Sequence, residues 1–129
     1  MTNIDKWECF LRGKWEEHFA SHLSMDERKE IYLYGDRIAC GYLWHLFSYG
    51  KRNCFTDKEA DRMFNEETKQ FCYLFYQHCD DAYIIEKTSG LKAIDFAHEE
   101  DMYIVDRDFT WTYVVTHEKG YCGPYFSRR

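Results

Sequence analysis

The stretch Phe71-Cys72-Tyr73-Leu74-Phe75-Tyr76-Gln77-His78-Cys79-Asp80-Asp81-Ala82-Tyr83-Ile84-Ile85-Glu86-Lys87 decides the fold class. Two runs rich in aromatic and β-branched side chains flank a short polar connection, so a hairpin is expected over Phe71 to Gln77 and Tyr83 to Lys87, turning at His78 to Asp81. Alternation along a strand sends Phe71, Tyr73 and Phe75 to one side and Cys72, Leu74 and Tyr76 to the other. Both sides are apolar, so both faces of the sheet need cover. The N-terminal helices can supply one; the other must meet the crossing from Ser89 to Glu100, a second subunit or a partner protein.

Beyond the hairpin, Met102 to Asp106 and Thr110 to His117 flank Arg107-Asp108, and Lys119-Gly120 turns the chain into Tyr121 to Ser127. These are three strands of a meander. Trp111, Tyr113, Val115 and His117 should share one face, with Cys122 and Phe126 pointing together from the next strand. Pro124 lacks a ladder donor, which predicts that this last strand is the sheet's border.

Before the hairpin the period is helical. Ile4, Trp7, Leu11, Trp15 and Phe19 predict a helix from about Asn3 to Ser21. Ser24-Met25-Asp26-Glu27 and Thr56-Asp57-Lys58-Glu59 read as capping boxes, one opening a helix that stops near Gly35, the other a helix to about Glu67. Between them, Asp36 caps an expected helix through Arg37, Ile38, Leu43, Trp44, Leu46 and Phe47, apolar almost all round. The expected class is therefore α+β: N-terminal helices (about 1–68) packed on a mostly antiparallel, roughly five-stranded sheet (about 69–129), in one domain over 1–129.

Composition excludes several classes. The chain has 129 residues, 25 of them aromatic, with net charge −6. Its longest run without Asp, Glu, Lys or Arg is the 13 residues from Ile38 to Gly50, too short for a membrane span of about 18 or more. Charge at Asp5 and Lys6 falls where a secretory signal needs apolar residues, so a cytoplasmic protein is expected. In that compartment Cys9, Cys40, Cys54, Cys72, Cys79 and Cys122 should be free thiols, mostly on apolar faces. No glycine-rich loop cradles phosphate, and no basic stripe interleaves with aromatics, so neither nucleotide nor nucleic acid is an expected ligand.

The acidic charge is concentrated. From His78 to Asp108 there are nine acidic and three basic residues, a balance of −6, while the rest of the chain holds 14 of each sign. A solvated rim around strand ends is the plain reading of such a cluster. The functional reading is a surface of Asp80, Asp81, Glu99, Glu100 and Asp101 that recognises a basic protein.

Tyr42-Leu43-Trp44-His45-Leu46-Phe47-Ser48-Tyr49, Tyr76-Gln77-His78-Cys79-Asp80-Asp81 and the tail from Thr116 to Phe126 together resemble a family of small uncharacterised bacterial proteins, classed as a domain of unknown function. The resemblance implies a compact bacterial cytosolic domain and carries no reaction, cofactor or site.

Two functional classes remain. The first is a non-catalytic binding module, an inhibitor or immunity-type protein for a basic partner. The second is a small cytosolic enzyme. A Cys–His arrangement needs a thiol of lowered pKa, an imidazole and an orienting carboxylate. Cys79 or Cys122 can serve as nucleophile, His78, His117 or His45 as base, and Asp81 or Glu118 as orienter. Six cysteines and six histidines in a chain this short make such pairings common by chance, so the binding module is the favoured reading. Paired metal-ligand spacings are absent, and Asp80 with Asp81 is short of the oxygens a hard cation needs; no metal or cofactor is expected.

Overall fold

The computed structural model describes residues 2–4, 6–33, 42–86 and 90–129. Its centre is a seven-stranded antiparallel sheet in the order β1 (Thr2–Asn3), β4 (Ala82–Glu86), β3 (Phe71–Tyr76), β5 (Met102–Asp106), β6 (Trp111–Val115), β7 (Tyr125–Arg128), β2 (Phe55–Thr56). The hairpin read from the sequence is β3 (Phe71–Tyr76) paired with β4 (Ala82–Glu86), with Tyr73 opposite Ile84. On its other side β3 pairs with β5 (Met102–Asp106), which continues into β6 (Trp111–Val115) and β7 (Tyr125–Arg128) as the expected meander.

The two additional strands are two residues each. Thr2–Asn3, β1, lies along the outer edge of β4, with Thr2 opposite Ile84. Helix α1 consequently starts at Glu8 rather than Asn3 and runs to Phe19, because the Ile4 amide donates to the Ala82 carbonyl (2.9 Å) and extends the ladder instead of opening a helix. Phe55–Thr56, β2, lies along β7, with Phe55 opposite Phe126. The border is therefore β2 and not the C-terminal strand. Pro124 precedes β7, and its carbonyl accepts the Asp57 amide at 3.0 Å.

Ser24 makes the expected capping box: its Oγ accepts from the Glu27 amide (3.1 Å) and Glu27 Oε1 accepts from the Ser24 amide (3.0 Å). Helix α2, Met25–Glu30, ends well before Gly35, with Tyr32 in the left-handed region (φ 65°) and the Leu33 amide returning to the Arg28 carbonyl. The helix expected from Asp36 falls in part outside the described residues; past Tyr42 the chain makes a single helical turn, α3, His45–Ser48. Helix α4, Asp57–Glu66, forms as expected, but Thr56 makes no side-chain cap, being engaged in β2.

Both faces of the sheet are covered by the chain itself. Tyr73, Phe75, Tyr103, Val105, Val114 and Tyr125 pack with Leu11, Trp15 and Phe19 of α1 and with the segment Leu43–Phe47. Cys72, Leu74, Ile104, Trp111, Tyr113 and Phe126 pack with Ala60 and Phe64 of α4 and with a 3-10 turn, Ala93–Phe96, in the crossing. Cys122 packs against the first group and Phe126 belongs to the second, so the two do not point together. Burying one Phe or Leu contributes about 1.5–3 kcal/mol, so these two layers dominate stability.

Candidate functional site

The end of the sheet formed by Tyr76, Met102 and Val115 carries the densest polar structure. Gln77 extends β3 by one residue, and its amide donates to the Asp101 carbonyl at 2.9 Å. Its side chain is buried, and Oε1 accepts from the Leu43 amide (2.9 Å) and the Tyr103 hydroxyl (2.5 Å). The Tyr103 hydroxyl in turn accepts from the Trp44 amide at 3.2 Å. This network pins the segment Tyr42–Trp44 across the sheet's end, and burial holds the Tyr103 phenol well above its usual pKa. Arg12 of α1, 6% exposed, closes it from below by donating to the Gln77 carbonyl at 2.5 Å.

Asp101 is the centre. It sits in the left-handed region (φ 51°), which Asp tolerates better than most residues. Its carboxylate accepts from the Trp44 indole (2.9 Å), the His117 amide (3.2 Å) and His117 Nδ1 (3.0 Å). At 6% exposure it is an internal acceptor and not a surface charge, which removes it from the set read as partner-binding. A buried carboxylate is tolerated where charge-assisted hydrogen bonds replace its hydration.

His117 does not titrate at the ordinary imidazole value: its hydrogen bond to Asp101, with smaller help from that charge and those of Glu118 and Glu100, raises its pKa against a burial penalty. Nε2 lies 3.5 Å from Glu118 Oε1. Tyr42 touches all three histidines of this end, with ring centres 5.0 Å from His117, 5.1 Å from His78 and 5.5 Å from His45, and it stacks on Trp44 at 5.0 Å.

Cys122 hydrogen-bonds with Glu118, the same side chain that neighbours His117 Nε2. Cys79 Sγ lies 3.7 Å from Asp81 Oδ2, and burial, with further help from the acidic neighbours, pushes its thiol up. Cys122 is likewise pushed up, by burial and by Glu118. A nucleophilic cysteine needs the opposite shift. His78, Asp80, Asp81 and Glu100 are exposed, and Glu99 is half-buried, accepting from the Tyr76 hydroxyl at 3.0 Å. Among the described residues no group of three or more His, Cys, Asp and Glu side chains is arranged to hold a metal ion, the five described cysteines are free thiols, and no helix is long and apolar enough to cross a membrane.

Trp44, Gln77, Tyr103 and Arg12 were not legible as parts of this site. The one usable signal was Trp44, since a tryptophan in an apolar run needs a buried acceptor for its indole N–H.

The model of the family described as "Domain of unknown function (DUF4275)" matches residues 1–126. The chain belongs to this family. No curated protein and no solved structure matches it. The match takes in the Asp101 centre and the sheet that carries it up to the first two residues of β7, so in this DUF4275 chain the site and nearly all of its scaffold fall within the family match.

Proposed function

We propose that this DUF4275 chain is a non-catalytic protein-binding module of the cytosol whose acidic end takes a basic protein, as an inhibitor or immunity-type protein does. One observation carries the reading. The connections leaving the same ends of β3, β5 and β6 bear Asp80, Asp81, Glu99, Glu100 and Glu118 around the Tyr42–His117 contact. Asp101 belongs to this end as its internal support, leaving the other carboxylates as the recognition surface. Such clustering raises the association rate with a cationic partner and makes binding salt-sensitive.

The His117–Asp101 dyad favours a second reading, a histidine acid–base centre. The raised cysteine pKa values weigh against a thiol nucleophile beside it.

The test uses the immobilised chain and a quadruple variant, Asp80→Asn, Asp81→Asn, Glu100→Gln and Glu118→Gln, against extract of the source cells at low and high salt. The reading expects the intact chain to retain a discrete basic protein that salt elutes, the quadruple variant to lose it, and His117→Gln to keep it. Equal retention by the intact and quadruple forms overturns it, and loss in His117→Gln alone moves the function to the dyad.

A further inference from the structure

The opposite end of the sheet exposes aromatic rings. Trp7 and Phe10, at the start of α1, are 42% and 52% exposed although their ring centres lie 5.3 Å apart. Trp7 continues to half-buried Tyr73 at 6.3 Å, and Tyr73 to half-buried Phe71 at 5.0 Å. A groove of 630 Å³ lined in part by Phe71, Glu86, Arg107 and Asp108 opens beside this row, and a second, of 270 Å³, shares Arg107 and Asp108 and reaches Phe10 and Lys14. Contiguous exposed rings of this kind mark an interaction surface.

The charges around the rings identify the occupant. Lys14, Arg107 and Arg129 carry one sign; Glu17, Glu86 and Asp108 carry the other. Asp106 adds a fourth carboxylate in the same groove, its oxygens accepting from the Thr110 and Trp111 amides that hold the β5–β6 turn. Lys14 and Glu17 pair with each other at 3.5 Å. Arg107 lies over the Phe71 ring at 4.6 Å, and among the described residues neither it nor Glu86 nor Asp108 makes an ion pair. A partner of single sign meets like charges on this rim whichever sign it carries. A second copy of the same surface, turned by a two-fold axis, can set its Arg107 against Glu86 and Asp108 of the first, and the reverse contact follows by symmetry.

We propose that two chains associate through this aromatic end in an isologous dimer, Trp7 and Phe10 of one packing on the rings of the other while Arg107 meets the partner's Glu86 and Asp108. This surface lies at the far end of the sheet from the acidic carboxylates, so its failure and theirs are separable.

The experiment measures molar mass by sedimentation equilibrium over roughly 1 µM to 1 mM, the range in which a modest interface dissociates. The expected mass rises from the 15.8 kDa of one chain toward twice that value. Trp15, Trp44 and Trp111 are buried, so acrylamide quenching reports Trp7 and should fall as the dimer forms. Phe10→Ser, Arg107→Glu, and the pair Glu86→Arg with Asp108→Arg should each raise Kd at least tenfold with circular dichroism unchanged. Mixing the Arg107→Glu chain with the Glu86→Arg/Asp108→Arg chain restores opposite signs at both symmetry-related contacts and should restore the dimer. A constant single-chain mass, a dimer indifferent to Phe10→Ser and Arg107→Glu, or a mixture that stays monomeric overturns the proposal.

Discussion

The same strands finish in opposite ways at their two ends. At one, β3 runs into Gln77, and the chain is closed by directional bonds: a carboxamide, a phenol, an indole, an imidazole and a carboxylate, each meeting a specific partner. At the other, β3 begins at Phe71, and the contacts are between rings, with Trp7 and Phe10 left in water. A buried hydrogen-bonding group left without its partner costs the desolvation that had been offset, whereas a ring at the surface loses only part of its contact area. The first end should therefore be intolerant of single changes in folding, and the second tolerant in folding but sensitive in association.

The largest expected effect tests that contrast directly. Asp101→Ala leaves the Trp44 indole and His117 without their acceptor and should cost about 2–3 kcal/mol, read as a lower denaturant midpoint at unchanged slope. Exposed Asp80→Asn at the same end should stay within about 0.5 kcal/mol. Equal effects from the two would break the picture of a closed end supporting an open surface. By the same reasoning, neutralising Glu99 and Glu100 together is mild, and adding Asp101→Asn to the pair makes it damaging.

Gln77→Met keeps the side chain's length but removes the acceptor for the Leu43 amide and the Tyr103 hydroxyl. A loss of about 1–2 kcal/mol is expected, together with faster hydrogen exchange at Leu43. Unchanged exchange would mean that packing alone holds the Tyr42–Trp44 segment.

The His117–Asp101 contact gives a pH signature of definite sign. Because the folded-state pKa of His117 is raised, its stabilisation is fully present below the unfolded value of about 6.5 and is lost as pH rises through the folded value. The Tm difference between the intact chain and His117→Gln should thus be larger at acidic pH, above the carboxylate range, than in alkaline buffer. The side chain is 32% exposed, so solvent screens the effect, which should be smaller than that of Asp101→Ala. A difference independent of pH would assign His117 a packing role alone.

The smallest effect on folding belongs to the other end. Phe10→Ser and Arg107→Glu should shift unfolding by no more than about 0.5 kcal/mol when measured at a dilution where single chains prevail. A loss as large as that of Gln77→Met would show that the ring row is part of the core, and the contrast between the ends would disappear.

The β3–β4 hairpin, the meander and the Ser24 cap were legible because each rests on local rules: a period of two, a turn composition, a reciprocal side-chain bond. Thr2–Asn3 and Phe55–Thr56 were not, since two residues hold no period and their strand character exists only beside β4 and β7. That same invisibility misplaced the border, because a proline before β7 says nothing of a strand arriving from elsewhere. The candidate site divided in the same way. Its exposed carboxylates stand out as charge, but Asp101 is indistinguishable in sequence from Glu99 and Glu100 beside it.

The sequence by itself determined the alternation that makes both faces of β3, β5 and β6 apolar, and with it the need for cover on two sides. Only the tertiary structure decided who provides it, α1 with the Leu43–Phe47 segment on one face and α4 with the 3-10 turn on the other. Only the tertiary structure also turned Asp101 inward. Periodicity is a property of neighbours along the chain, while burial of a single carboxylate depends on Trp44 and His117, which lie 57 and 16 residues away and meet it only when the sheet has closed.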